Sequence, residues 1–153
     1  MSREQSYMNG EPPLLDTNLL VYAYDESEGA KHEICKRMVD ECWCSTRKFS
    51  ISLQNLSEFY VIMTAKVENP VPEELAKEIV QDIIEFQNWK ILGYDAHTIL
   101  AAIDLSKEFM VHYGDALLAA TMKDHGIFSI YTEDRAFALI PWLTVSNPFE
   151  APL

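Results

Sequence analysis

Short apolar runs alternate with longer amphipathic stretches along most of the chain. Runs of a few apolar residues beside turn residues predict strands, and apolar residues three and four positions apart predict helices. The predicted strands cover residues 13–15, 49–51, 89–92, 127–131 and 143–145. The predicted helices cover residues 19–24, 30–43 and 53–66, a stretch from Pro72 to Phe86, one from Asp95 through Leu105, and one from Asp115 to Gly126.

This order of strands and helices predicts an α/β fold with three layers, α/β/α, around a mostly parallel central sheet. No change of composition and no Ser- or Gly-rich linker divides the 153 residues, so we expect a single domain over residues 1–153. Residues 1–11 are polar, and we expect them to be disordered.

Charge and cysteine content narrow the possible functions. Twenty-four acidic against 12 basic residues give a net charge of −12, which argues against a long electrostatic contact with DNA. An acidic site that holds a metal ion stays compatible with this balance, because the cation reverses the local field. Three cysteines in one segment, and no apolar run near 18 residues, predict reduced thiols and a soluble, cytoplasmic protein without membrane contact.

Four acidic residues, Asp16, Glu58, Asp115 and Asp134, stand in apolar segments near predicted strand ends or helix starts. In a parallel sheet, sites form beyond the carboxyl ends of the strands, where Asp16 and Asp134 are expected to meet. Carboxylates in apolar surroundings are costly unless they are bound, and hard divalent cations prefer oxygen ligands. Clustered carboxylates also repel one another, so at least one should have a raised pKa.

Each acidic residue also has a purely structural explanation. Asp16 and Asp115 could cap the helices that follow them, and Asp134 could stabilise a turn. Glu58 lies in a helix that is apolar almost everywhere, and it could pair with Lys66. The structural explanation is weaker for the four residues jointly than for any one of them.

The acidic residues occur in an order and context that resembles the PIN-domain ribonucleases, and among them the VapC-type toxins of toxin–antitoxin pairs. The matching stretches are residues 14–22 (LLDTNLLVY), 52–60 (SLQNLSEFY), 115–121 (DALLAAT), 131–137 (YTEDRAF) and 145–149 (VSNPF). Ala136 departs from the pattern, since many relatives carry a further Asp there, and this leaves open whether one or two metal ions bind.

The resemblance implies that Asp16, Glu58, Asp115 and Asp134 bind Mg²⁺ or Mn²⁺ and catalyse hydrolysis of RNA phosphodiester bonds. It also implies an antitoxin partner and a homodimer. Four aromatic residues exceed what one small core needs to bury and could cover a dimer interface, although they could equally be core: Phe59, Tyr60, Trp89 and Trp142. A negative pocket suits an Arg or Lys of the antitoxin, so its binding segment is expected to be basic.

Two short polar residues beside the acidic ones are expected to support the site. Asn18 and Thr132 could orient a carboxylate, a water or a phosphate. Thr17 is the weaker candidate beside Asn18, because it could simply cap the first helix.

One alternative function remains open, and two others are disfavoured. The protein could be a PIN-like binding or scaffold protein that cleaves poorly and whose acidic pocket receives a partner's basic segment. An aspartyl-phosphate phosphatase is disfavoured, because no second Asp follows Asp16 two residues later. A zinc site built from cysteines 35, 42 and 44 with His32 is disfavoured by their spacing.

Overall fold

The computed structural model of this chain describes residues 10–150. The strands are β1 (Leu14–Leu15), β2 (Phe49–Ser52), β3 (Trp89–Leu92), β4 (Ser129–Tyr131) and β5 (Thr144–Ser146). The α-helices are α1 (Thr17–Tyr24), α2 (Ala30–Trp43), α3 (Leu53–Ala65), α4 (Glu73–Glu85), α5 (Ala96–Phe109) and α6 (Tyr113–Asp124). Two short 3₁₀ helices, which the apolar pattern did not predict, cover Glu26–Glu28 and Arg135–Leu139.

The five strands form one sheet in the order β3-β2-β1-β4-β5, and all its strand pairings are parallel. In chain order, β2 and β3 are added to the sheet on one side of β1, and β4 and β5 are then added on its other side. Leu14 pairs with Ser50 on one side and with Ile130 on the other. The direction of strand addition therefore reverses at β1, and a crevice beyond the carboxyl ends of β1 and β4 is expected at such a point.

Both faces of the sheet are covered, as the three-layer prediction requires. Leu14 and Leu15 are adjacent in a strand, so their side chains point to opposite faces. Leu15 packs in a cluster with buried residues of α1 to α4, whereas Leu14 packs in a cluster that includes Leu118 and Met122 of α6. The predicted α/β/α fold is thus confirmed, with α1–α4 on one face and α5–α6 on the other.

The boundaries of α6 differ from the sequence prediction. The helix begins at Tyr113, with His112 at its N-cap, so Asp115 lies inside the first turn and does not cap the helix. Its predicted end is confirmed, because Gly126 adopts a left-handed φ of 69° just after the C-cap. An L-residue adopts this conformation only with strain, and glycine is the usual helix stop.

Helix α3 is buried on one face only, although its sequence is apolar almost everywhere and suggested a helix buried on all sides. Its residues Leu53 and Val61 are 47% and 49% exposed, whereas Phe59 and Met63 are buried. The helix covers the sheet with one face only, since its other face lies at the molecular surface. Glu58 is on the exposed side.

The aromatic residues that supported the homodimer expectation are largely used in the fold. Phe59 and Trp89 are buried, and Tyr60 and Trp142 are half-buried. They therefore do not form a surplus of exposed aromatic surface.

Of the segment expected to be disordered, residues 1–9 lie outside the described residues. Glu11 forms an ion pair with Lys90 of β3. In the described range, no helix combines the length and the apolar character that crossing a membrane requires.

Candidate active site

The carboxylate of Asp16 lies at the junction of β1 and β4. Its backbone N–H donates to Tyr131 O at 3.1 Å, which continues the β1–β4 ladder by one residue. Asp16 Oδ1 accepts from Thr17 N at 2.8 Å, and Oδ2 accepts from Thr132 Oγ1 at 2.7 Å. The same Thr132 hydroxyl accepts from Asp134 N at 3.0 Å. Adjacent parallel strands therefore bring Asp16 and Asp134 to one edge of the sheet through the buried Thr132.

The structural explanations of Asp16 and Asp134 are both correct, and they are compatible with a site at this edge of the sheet. Asp16 is the N-cap of α1, and Asp134 Oδ1 accepts from Ala136 N at the start of the second 3₁₀ helix. A cap uses one carboxylate oxygen, and each oxygen of a carboxylate can accept more than one hydrogen bond or bind a cation as well. Capping therefore fixes the orientation of these side chains and leaves them able to accept further ligands.

Glu58 reaches the same region from α3. Its Oε2 accepts from Thr17 Oγ1 at 3.1 Å, and its Oε1 accepts from Gln54 Nε2 at 3.2 Å. These are the partners that the structure gives this carboxylate, and the suggested pair with Lys66 is not among the ion pairs of residues 10–150. Since Thr17 directly follows Asp16, the bond to Thr17 places Glu58 beside the first acidic residue.

Asp115 enters the region from the first turn of α6. Gln54 Nε2 also donates to Gly114 O at 3.0 Å, so one side chain of α3 ties Glu58 to the start of α6. The Asp115 carboxylate accepts no hydrogen bond within residues 10–150. Its position near a helix N-terminus favours a negative charge there.

Electrostatic coupling joins the four carboxylates into one site. Burial, followed by the charges of Asp134 and Asp16 and, more weakly, Glu58, raises the pKa of Asp115 to about 6, while His112 opposes this. Burial also raises the pKa of Asp16, where the hydrogen bonds from Thr132 and Thr17 oppose it and the charges of Glu58 and Asp134 add to it. The expectation of a raised pKa within the cluster is confirmed for these two residues.

The donor set suits a hard divalent cation, although the side chains do not form a ready-made cage. None of the four acidic residues forms an ion pair with Lys or Arg in the described part of the chain, so their charges are not balanced by the protein. No group of three His, Cys, Asp or Glu side chains within residues 10–150 is close enough to hold a metal ion as it stands.

The predicted supporting residues take different positions. Thr132 bonds Asp16, as described, whereas the Asn18 side chain is exposed and forms no hydrogen bond within residues 10–150. Thr17, which ranked below Asn18, is 3% exposed and bonds Glu58. Apolar patterning gives no sign of this, because Thr17 contacts a residue 41 positions away.

Three further residues that the sequence did not single out hold the loop between β4 and Asp134. Glu133 Oε2 accepts from Lys31 Nζ at 2.8 Å, and Glu133 Oε1 accepts from Tyr22 OH. Lys31 in turn lies 5.3 Å from the ring centre of Tyr22. The loop that carries Thr132 and Asp134 is thereby attached to α1 and α2 by Glu133.

The cysteines lie away from the four carboxylates. Cys35 and Cys42 are buried and Cys44 is exposed, and all three are free thiols. Burial raises the pKa of Cys35 and of Cys42 to about 12, so both are uncharged at neutral pH. His32 Nδ1 lies 2.8 Å from Tyr22 O, which gives this ring a structural partner.

Several solved structures share this fold. A toxin–antitoxin complex from Klebsiella pneumoniae matches with a TM-score of 0.63 and 20% identity over 91% of this chain and 99% of that one. The sarcin-ricin loop cleaving toxin VapC20 of Mycobacterium tuberculosis matches with a TM-score of 0.63 and 18% identity over 84% and 94% of the two chains. VapBC2 from Rickettsia felis, bound to a DNA fragment from its promoter, matches with a TM-score of 0.61 and 19% identity over 90% and 98%.

At these identities the structural matches establish the fold. No curated protein matches the chain in sequence. The PIN domain family model, however, matches residues 14–143, which span all four acidic residues and four of the five strands. The chain therefore belongs to the PIN domain family.

Proposed function

We propose that this protein is a metal-dependent endoribonuclease and the toxin of a type II toxin–antitoxin pair. The observation that supports the proposal is the electrostatic coupling of Asp16, Glu58, Asp115 and Asp134 near the reversal point of the sheet, without ion pairs to Lys or Arg in the described residues. PIN family membership and the toxin–antitoxin neighbours support the same conclusion.

In the proposed reaction the four carboxylates would hold Mg²⁺ or Mn²⁺ where an RNA phosphate binds. The bound cation supplies Lewis acidity, which lowers the pKa of a coordinated water and offsets charge on the phosphate. Thr132 keeps Asp16 turned towards the site, and Gln54 keeps Glu58 beside the start of α6. No side-chain nucleophile is required for this hydrolysis.

The proposed partner is an antitoxin with a basic segment. An unpaired negative site attracts a guanidinium, which forms paired hydrogen bonds with carboxylates. A second negative feature lies away from the four acidic residues, in a cavity of about 490 Å³. It is lined by three aromatic residues, one aliphatic residue and two carboxylates: Tyr24, Trp43, Phe86, Ile79, Asp82 and Glu85.

We also propose a homodimer. Its support comes from exposed residues of α5, because the aromatic residues considered earlier are largely buried. Ile99, Leu100 and Ile103 of this helix are 38%, 62% and 39% exposed. Three aliphatic side chains on one exposed helix form an apolar surface of the kind that subunits bury.

A second candidate function is a binding protein of the same fold that cleaves poorly. The observation that favours it is the lack, within residues 10–150, of three acidic side chains already spaced to hold a metal ion. In that case the acidic site mainly receives the partner's basic segment.

Variants at the acidic residues distinguish the two functions. Purified protein with Mn²⁺ is incubated with a panel of structured and single-stranded RNAs, and we expect cleavage at a limited set of sites. Asp16→Asn and Asp115→Asn, which conserve volume, should lower cleavage at least about 100-fold because each removes a metal ligand. Asp104→Asn, at an exposed position of α5, is the matched control and should cleave like the wild type.

Metal dependence is tested in the same preparations. EDTA should stop cleavage, and added Mn²⁺ or Mg²⁺ should restore it and raise the melting temperature, because the cation binds the folded state. Equal cleavage by the wild type and both variants indicates a contaminating nuclease. No cleavage and no thermal shift, with partner binding retained, supports the binding protein instead.

A further inference from the structure

A series of buried polar side chains leads from the end of β2 to Glu58. Ser52, Asn55 and Thr17 are 0%, 1% and 3% exposed. Ser52 N donates to Asn55 Oδ1 at 3.1 Å, Asn55 Nδ2 donates to Thr17 Oγ1 at 2.8 Å, and Thr17 Oγ1 donates to Glu58 Oε2 at 3.1 Å. These bonds connect β2, α3 and α1, which are three elements that meet at the site.

The direction of these hydrogen bonds is fixed by a group that can only donate. The backbone N–H of Ser52 faces the Asn55 side chain, so the amide must present its oxygen there and its NH₂ group on the other side. Ser52 Oγ strengthens this orientation, because it donates to Asn55 Oδ1 at 2.8 Å and accepts from Asn55 N at 3.0 Å. Turning the amide over would place two donors against each other and leave a buried group unpaired.

The orientation of Asn55 determines what the Thr17 hydroxyl does. A hydroxyl has one proton, and Thr17 Oγ1 already accepts from Asn55 Nδ2. Its proton is therefore available to Glu58, whose Oε2 is the acceptor that the structure places within 3.1 Å. The Ser52 backbone N–H thus fixes the orientation of Asn55, and Asn55 in turn directs the Thr17 hydroxyl proton towards Glu58 Oε2.

We propose that Asn55 and Thr17 are positioning residues that hold the Glu58 carboxylate towards the other three acidic residues, ready to bind a divalent cation; this inference rests on the proposed function. Glu58 needs such a restraint because it is exposed, and because the charges of Asp16 and Asp115 repel it. Residues that hold a metal ligand in this way commonly change metal affinity by about 10- to 100-fold when they are replaced.

The first test measures Mn²⁺ affinity directly, by electron paramagnetic resonance of the free ion. Thr17→Val keeps the shape of the side chain and removes the hydroxyl, so we expect Mn²⁺ binding to weaken about tenfold. Thr17→Ser restores the hydroxyl, and its affinity should stay within about twofold of the wild type. Unchanged affinity in a folded Thr17→Val protein overturns the positioning role.

A second variant tests whether Asn55 acts through Thr17. Asn55→Leu should weaken Mn²⁺ binding in the wild-type background and add nothing in the Thr17→Val background, because the route to Glu58 is already interrupted. An equal loss in both backgrounds shows that Asn55 acts by another route and overturns this part of the proposal.

A metal-free experiment separates the hydrogen bonds from the proposed function. In EDTA, urea unfolding is measured for Thr17→Val, Glu58→Ala and the double variant. The bond predicts a coupling of about fivefold in the unfolding equilibrium constant. Thr64→Val combined with Glu58→Ala is the control and should show no coupling, because Thr64 Oγ1 bonds the backbone of its own helix at Tyr60.

Together, the Mn²⁺ affinity measurement and the unfolding measurement in EDTA distinguish a failure of the inference from a failure of the proposed function. Additive effects of Thr17→Val and Glu58→Ala in EDTA overturn the inference whatever the metal does. If Thr17 and Glu58 are coupled in EDTA but the wild type binds no Mn²⁺, the metal site of the proposed function is overturned. The positioning of Glu58 for a cation is then overturned with it.

Discussion

At the scale of single residues, the charge on Asp115 is the feature most affected by the fold. Its pKa moves from an ordinary 3.8 to about 6 because the side chain is half-buried and the charges of Asp134, Asp16 and Glu58 act on it. Asp115 is therefore the acidic residue at which protons and a divalent cation compete near neutral pH.

The raised pKa of Asp115 predicts how stability depends on pH without metal. The folded state binds this proton more tightly than the unfolded state, so the contribution is fully present below about pH 4 and is lost as pH rises through about 6. After allowance for solvent screening of this half-buried group, we expect a loss of about 1 kcal/mol. Urea unfolding in EDTA between pH 4 and pH 7 measures it.

Asp115→Asn should remove this part of the pH dependence, because the amide does not titrate. Asp104→Asn, at an exposed position, should retain it. Parallel stability curves for the wild type and Asp115→Asn would contradict the raised pKa.

At the scale of elements, helix starts position three of the four acidic residues, Asp16, Asp115 and Asp134, and stabilise their negative charges. Asp16 caps α1, and Asp115 lies in the first turn of α6. The N-terminal end of a helix carries unpaired N–H groups and a partial positive charge, which stabilises a carboxylate nearby. The same local geometry therefore serves folding and the site, which is why capping alone could not distinguish a structural from a functional aspartate.

The end of α6 gives a prediction about an element boundary. Gly126 has a left-handed φ of 69°, and a Cβ there would meet no atom within 4 Å, so strain of the backbone is the main cost of a side chain. Gly126→Ala should destabilise the protein by about 1 kcal/mol in urea unfolding. Gly126→Asn should cost less, since Asn tolerates this conformation better.

Gly93 supplies the control for this prediction. Its φ is not in the left-handed range, and an added Cβ would lie 3.6 Å from Leu53 Cδ1, which is ordinary contact. Gly93→Ala should therefore change stability by less than about 0.5 kcal/mol. A larger loss at Gly93 than at Gly126 would show that the backbone conformation does not set the end of α6.

At the scale of the whole molecule, surface properties determine which partners the domain can take. The net charge of −12 and the unpaired acidic site favour a basic partner, and the exposed aliphatic residues of α5 favour a second apolar surface. These two kinds of surface would let the proposed antitoxin and the proposed second subunit bind at separate places.

The proposed dimer is tested on α5. Leu100 is 62% exposed, and a charge there should be tolerated by the monomer but not by an apolar interface. We expect the wild type to have twice the monomer mass of 17.5 kDa by light scattering after gel filtration, and Leu100→Asp to shift it towards the monomer.

Leu139 is the matched control, because it is 56% exposed and lies on the second 3₁₀ helix. Leu139→Asp should remain dimeric. A monomeric wild type at the same concentration would rule out the dimer, and equal dissociation by both variants would show that α5 is not its specific surface.

The apolar pattern of the sequence determined the order of strands and helices, the parallel sheet and most boundaries to within a few residues. These features depend on local periodicity, which a single chain displays directly. The two 3₁₀ helices and the start of α6 were not predicted correctly, because Tyr113-Gly114 carries no local start signal and His112 caps the helix without a side-chain bond.

The sequence by itself also indicated which four carboxylates to examine, since each stood beside an apolar segment and their order resembled one family. Only the tertiary structure decided which polar residues reach them. Thr17 and Glu58 lie 41 positions apart, and Thr132 and Asp16 lie 116 positions apart. Such contacts exist because parallel strands place distant residues at one edge, and no local pattern specifies which hydroxyl will face which carboxylate.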